Sequence, residues 1–334
     1  MDEAPSAPKT SARRRIVDAL KAIATIVILA VVLRKVPFGE LSARLAHLQA
    51  VDLVLLTALT VAQVSIGVVR WHRLLARLGE RVSFLGLYGD VLVGLTYNMF
   101  LPTTVGGDVV RAVRCRARVT RAHHAWSTSL FERIAGLLAM AASGAIAATL
   151  GASTLIPTSI RLVATALTLA LLAMFFGAAA PFRVLVRFFE KRLSAMTGTQ
   201  TEMRGIIADL EGPLATSGAR LEALFWSLLY QALGVVFVIV GARGLGAPGH
   251  ELAIVIGVPL VHVLSMIPVT IGGLGLREGL FVAILGRLGV ASDVALGLAA
   301  QWLASSVGFA IVGAVVAIAS RPRPIAQVGD GSGE

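Results

Sequence analysis

The chain has 334 residues, 56% of them hydrophobic and 15% charged, with one cysteine and a formal net charge of +11. Soluble domains carry about 25% charged residues, so this composition excludes an ordinary soluble globule, and the lone Cys115 excludes an internal disulfide framework and a cysteine-built zinc site. No segment is long enough to present a basic face on a soluble domain, so the positive charge argues for cytoplasmic loops beside anionic lipid headgroups and against nucleic acid.

Residues 1–15 form a polar, basic tail expected to be disordered. The apolar stretch 16–33 follows without a small-residue cleavage site and reads as an uncleaved first span. Further apolar stretches lie at 51–69, 84–101, 125–150, 162–180, 223–242, 252–269 and 295–319. Helices are the expected form, because an open sheet edge cannot be satisfied in lipid. Between them, 183–222 opens with Arg183, Arg187, Lys191 and Arg192 interleaved with bulky apolar residues, the pattern of an amphipathic helix lying on the membrane surface. Residues 321–334 form a second polar tail, leaving one membrane domain over 16–320.

Loop charge tests the topology. If every stretch crosses, lysines and arginines show no bias between the two sides. If 84–101 enters and turns back, the loop carrying Arg111, Arg114, Arg116, Arg118 and Arg121 joins the other basic loops, and most of the positive charge falls on the cytoplasmic side with both termini. The stretch also holds Gly86, Gly89, Asp90, Gly94 and Asn98 before Pro102, which suits a broken helix better than a smooth span. Whether 252–269 also turns back is not decided by charge.

Two segments repeat one pattern: PTTVGGDVVR from Pro102 and PVTIGGLGLR from Pro268. An odd number of full spans between them predicts two inverted halves, about 51–150 and 223–319, with two re-entrant or broken helices, an architecture that recurs in transporters. The expected fold is all-α and polytopic, with six to eight transmembrane segments.

The chemistry expected of the repeats is anion binding. Gly106-Gly107 and Gly272-Gly273 would expose backbone amides at helix starts. Thr104 and Thr270 would add hydroxyls, and Arg111 and Arg277 would clamp a phosphate. The competing reading is that the glycines only permit close helix packing. Asp108 and Glu278 sit beside these arginines as ion-pair partners, with proton coupling as the sharper alternative. Glu132-Arg133 stands inside the 125–150 stretch and must face protein or water; Glu132 is expected to pair with Arg111 or Arg114. Most of the tryptophans Trp71, Trp126, Trp226 and Trp302 read as interface anchors. The adjacent His123 and His124 would point in different directions on a helix, so no metal site or cofactor is expected. No G-x-x-x-x-G-K-[ST] loop is present to hydrolyse ATP.

PTTVGGDVVRAVR, FERIAGLLAM and IPVTIGGLGLREGLFV, in this order, resemble the membrane domain named after lysylphosphatidylglycerol synthase, over roughly residues 16–320. The resemblance implies an inner-membrane, flippase-like protein that moves a phospholipid or polyprenyl-phosphate-type lipid. It implies roles for Gly106, Gly107, Asp108, Arg111, Glu132, Arg133, Gly272, Gly273, Arg277 and Glu278 in binding. The aminoacyltransferase half of the large members is absent from this chain, so synthesis of aminoacylated lipid is not implied. No catalytic residue is expected; membrane lipids, and an enzyme that modifies them, are the expected partners. The alternatives are an embedded lipid or glycan transferase using Asp108 or Glu132 as base, and a scaffold for a lipid-modifying enzyme.

Overall fold

The computed structural model describes residues 46–100, 106–151, 158–177, 200–265, 270 and 274–320. The expected first span 16–33, both tails and residues 183–199 of the surface segment lie outside the described residues. So do Thr104, Gly272 and Gly273.

Helices α1 (Ala50–Arg77), α2 (Phe84–Phe100), α3 (Gly106–Cys115) and α4 (Ala122–Gly151) form the first half of the described chain. Helices α5 (Thr158–Phe176) and α6 (Gln200–Glu211) intervene. Helices α7 (Ser217–Gly244), α8 (Glu251–Ser265), α9 (Leu276–Arg287) and α10 (Ser292–Ala319) form the second half. No strand occurs among the described residues. Among the described residues four helices are long and apolar enough to cross a membrane: α1, α4 over Ala122–Thr149, α7 and α10. Large apolar side chains stand outward on them and on α5, among them Val54, Leu162 and Ile318. On a water-soluble protein such patches would be a liability; in lipid they are the expected surface.

The helix boundaries follow from local chemistry. Helix α1 begins where Asp52 reaches back to the Gln49 N–H at 2.9 Å, and α7 begins where the Thr216 hydroxyl accepts from the Ala219 N–H at 3.3 Å. Hydropathy ends the 51–69 stretch where Arg70 enters. The helix runs on to Arg77 because Val64, Val68, Trp71, Leu74 and Leu75 keep one buried face going at helical spacing. It stops at Gly79, whose φ of 81° is left-handed. In the loop beyond, burial opposes the charge of Glu80, but hydrogen bonds from the Thr120 hydroxyl and N–H, His124 and the Arg121 N–H outweigh it. They hold the Glu80 carboxyl below its ordinary range.

Each half reads long, short, short, long. The short helices have 17 and 10 residues in the first half, 15 and 12 in the second. At about 1.5 Å per residue each is shorter than the roughly 30 Å hydrocarbon layer. The equivalent helices α1 and α7 pack together in opposite directions: Gly244 faces Asp52, Gly234 faces Gln63 and Gly218 faces Arg77, rising numbers against falling ones. Gly67 and Gly234 hold the same place in their helices, as do Gln63 and Tyr230. A Cβ on Gly67 would lie 3.8 Å from the Tyr230 ring, and one on Gly234 would lie 3.1 Å from the Gln63 amide. The contact is therefore self-complementary, as across a two-fold axis. The same exchange joins α2 to α10 and α8 to α4. The halves are inverted relative to each other and interlocked.

Small residues make that interlock. A Cβ on Gly313 of α10 would sit 2.1 Å from the Leu92 carbonyl oxygen of α2 and 2.4 Å from the Thr96 hydroxyl, which itself donates to the Ala310 carbonyl at 2.7 Å. Backbone cannot yield as a side chain tip does. Gly313→Ala should therefore lower stability by about 1–3 kcal/mol, read from thermal unfolding in detergent. Gly308 on the same helix has nothing within 4 Å of its Cβ position, and Gly308→Ala serves as the control.

Candidate functional site

Three helices deliver charge to one place inside the bundle, and a fourth adds a neutral hydroxyl. Glu132 of α4, only 1% exposed, sits at its centre. Its Oε1 accepts from Arg70 Nε at 3.0 Å and Nη2 at 2.5 Å, and its Oε2 lies 2.9 Å from Arg111 Nη1. Arg111 also meets Asp108 one turn back on α3 at 3.1 Å, and Asp108 meets Arg133 at 3.2 Å. Arg70 Nη1 donates to the Ser227 hydroxyl of α7 at 2.7 Å. The guanidinium planes rest on aromatic rings: Arg111 lies 4.8 Å from the Trp71 ring centroid and Arg70 lies 5.9 Å from that of Tyr230. Trp71 is held in turn by its indole N–H, which donates to Thr128 at 3.0 Å.

A cavity of about 270 Å³ opens over this cluster, lined by Arg70, Asp108, Arg111, Glu132, Arg133 and Tyr230 among others. A second cavity of about 200 Å³ adjoins it and is lined by Gln63, Arg277, Trp302 and Phe309 among others. Both are bordered by Val64, Leu95, Asn98 and Tyr230. Arg111 and Arg277, equivalent in the repeated pattern, thus lie on the walls of two neighbouring recesses. Each has a buried Nε with no hydrogen-bond partner among the described residues. The recesses differ in lining: where the first has Glu132, the second has Trp302, Phe237 and Phe309.

Gly107 does something other than present its amide to these recesses. Gly106 and Gly107 are buried and open α3, but the Gly107 N–H donates to the Asn98 side chain at 2.8 Å. A Cβ on Gly107 would lie 2.1 Å from the Gly94 carbonyl oxygen. At Gly107 the packing of α3 against α2 takes the place of an anion contact, because this donor is used and the space is filled. In the second copy a further glycine carries the turn: Gly275, at φ 79°, precedes α9 and gives its N–H to Glu278 at 2.7 Å. Glu278 therefore caps α9 while meeting Arg277 at 3.4 Å. Thr270 is buried, and its hydroxyl has no partner among the described residues.

Other expectations are redistributed. Arg114 does not meet Glu132; with Arg118 it pairs with the fully buried Asp90, at 2.9 and 3.0 Å. Arg116 meets Glu202 of α6 at 2.6 Å. Much of the basic loop is thus paired with protein carboxylates. Trp71 and Trp126 are buried packing residues, not interface anchors. His123 and His124, expected to diverge, both turn toward Asp209 of α6, with Nε2–carboxylate distances of 3.8 and 3.7 Å. Sequence reasoning missed Arg70, Ser227 and Tyr230. For Arg70 the signal was the run Val64, Val68, Trp71, Leu75, which carries the buried face past the arginine.

Long apolar helices, an interlocked pair of inverted halves and a cluster of buried, paired charges define an all-α polytopic membrane protein. The chain belongs to the lysylphosphatidylglycerol synthase TM region family, whose profile matches residues 18–319. No curated protein and no solved structure matches it. Family and fold together place the protein in membrane lipid biology.

Proposed function

We propose that the protein is a translocator, without catalytic activity, for lipids with anionic headgroups, acting in the inner membrane with both termini in the cytoplasm. The observation that carries this reading is the placement of Arg111 and Arg277 on two adjoining recesses bordered in common by Asn98 and Tyr230. A phosphate entering either recess would meet a guanidinium on its wall. A headgroup passing from one to the other would stay within reach of an arginine, while its acyl chains remained in lipid. In this reading α2–α3 and α8–α9 are re-entrant hairpins that enter from opposite faces of the bilayer. Inversion of the halves supports it, since a site between inverted repeats can open to either side.

The test is reconstitution in liposomes carrying fluorescent phosphatidylglycerol and an impermeant quencher. The proposal expects the lipid of the inner leaflet to become quenchable only in vesicles that contain the protein. Lipid altered in mass would instead indicate a transferase. Unchanged lipid that stays in its leaflet, with an enzyme copurifying, would indicate a scaffold.

A further inference from the structure

A second cluster lies outside both recesses, where α4 begins. His124 is 5% exposed and its Nδ1 lies 2.6 Å from Glu80 Oε1. A carboxylate there requires Nδ1 to carry a proton, and in the neutral imidazole Nε2 then offers its lone pair on the other side of the ring. It points at Asp209 of α6, 3.7 Å from Oδ1, and the neighbouring His123 points Nε2 at Oδ2 of the same carboxylate, 3.8 Å away. These separations exceed a hydrogen bond. They approach the edge of a tetrahedron around an ion with ligands at about 2.0–2.1 Å, an edge of roughly 3.3 Å. One ligand atom from each of the three residues lies within 4.8 Å of the others.

The surroundings hold these groups still. The Ser127 hydroxyl donates to Asp209 Oδ2 at 2.6 Å. The His123 ring packs against Gly205 of α6, where a Cβ would come within 2.6 Å of it. Glu80 is anchored in turn by the Thr120 N–H and hydroxyl at 2.8 and 2.6 Å. A histidine whose distal nitrogen is fixed by a carboxylate is the usual support around a bound metal, and it sets the tautomer that ligation needs.

We infer that His123, His124 and Asp209 form a binding site for a divalent transition-metal ion of borderline softness, with Glu80 and Ser127 positioning the ligands. Two imidazoles and one carboxylate suit zinc or iron(II) and disfavour magnesium and calcium, which prefer all-oxygen shells. The ion would tie α6 to the start of α4 and, through Glu80, to the α1–α2 loop.

The experiment uses the full chain in detergent micelles, stripped with chelator and titrated with zinc by calorimetry, followed by elemental analysis. The expected result is one zinc per chain and a rise in unfolding temperature on binding. His123→Gln and Asp209→Asn should each weaken binding at least tenfold; asparagine retains an acceptor for Ser127, so that variant keeps the packing. Substitution with cobalt(II) should give the visible bands of a low-coordinate site in the wild type and lose them in His123→Gln. Absence of stoichiometric zinc, or equal binding by the wild type and both variants, overturns the inference.

Discussion

Replacing Glu132 by alanine should lower the stability of the folded protein by about 3–5 kcal/mol, the cost of leaving buried charges without their partner. Both Arg70 and Arg111 lean on this one carboxylate, and it is 1% exposed. Arg111 keeps Asp108, whereas the other hydrogen bond of Arg70 among the described residues goes to the neutral Ser227. Arg70 is therefore the group that pays for the loss. Glu132→Ala combined with Arg70→Met should recover much of the stability, because removing both members of a buried pair costs far less than removing one. Thermal or denaturant unfolding in detergent reads both variants. A loss below 1 kcal/mol for Glu132→Ala, or no recovery in the double variant, would show that water reaches the cluster and screens it.

Arg277→Ala should reduce lipid translocation at least tenfold while leaving the fold intact. Its ion-pair partner among the described residues is Glu278, its neighbour on α9, at 3.4 Å, and adjacent helical residues do not face each other well. Glu278 keeps its cap on the Gly275 N–H whether or not the arginine is present. What the variant removes is a guanidinium at the wall of the second recess. A charge-assisted hydrogen bond to phosphate contributes about 1.5–3 kcal/mol, which corresponds to roughly 10–100-fold in rate where it acts in the rate-limiting step. Arg277→Lys should recover only part of it, since an ammonium cannot make the planar, two-pronged contact. Arg111→Ala is a poorer probe, because it also unpairs Glu132. An unchanged rate in Arg277→Ala would remove the second recess from the path.

Much of this fold is legible in the chain, since lipid forces helices and the repeated pattern at Pro102 and Pro268 marks two halves. What hydropathy hides is where a helix continues beyond its apolar run. Arg70 interrupts the average, yet Trp71, Leu74 and Leu75 keep one face buried, so the arginine belongs to the core and not to a loop. The repeat also conceals a difference between its copies. Gly107 is spent on packing against Gly94 and Asn98, whereas the turn of the second copy falls on Gly275. His123 and His124 looked inert because Asp209, which gathers them, lies far along the chain on α6. Sequence spacing registers partners on one helix; it does not register one brought in by tertiary packing.

The most direct measurement compares two fluorescent lipids in the same vesicles, one with an anionic phosphodiester headgroup and one zwitterionic, with identical acyl chains. If paired arginine recesses carry the head through the bilayer, the anionic lipid crosses at least tenfold faster in wild-type vesicles, and the preference collapses in Arg277→Ala. Equal rates for both lipids, or rates no higher than in protein-free vesicles, would contradict the account.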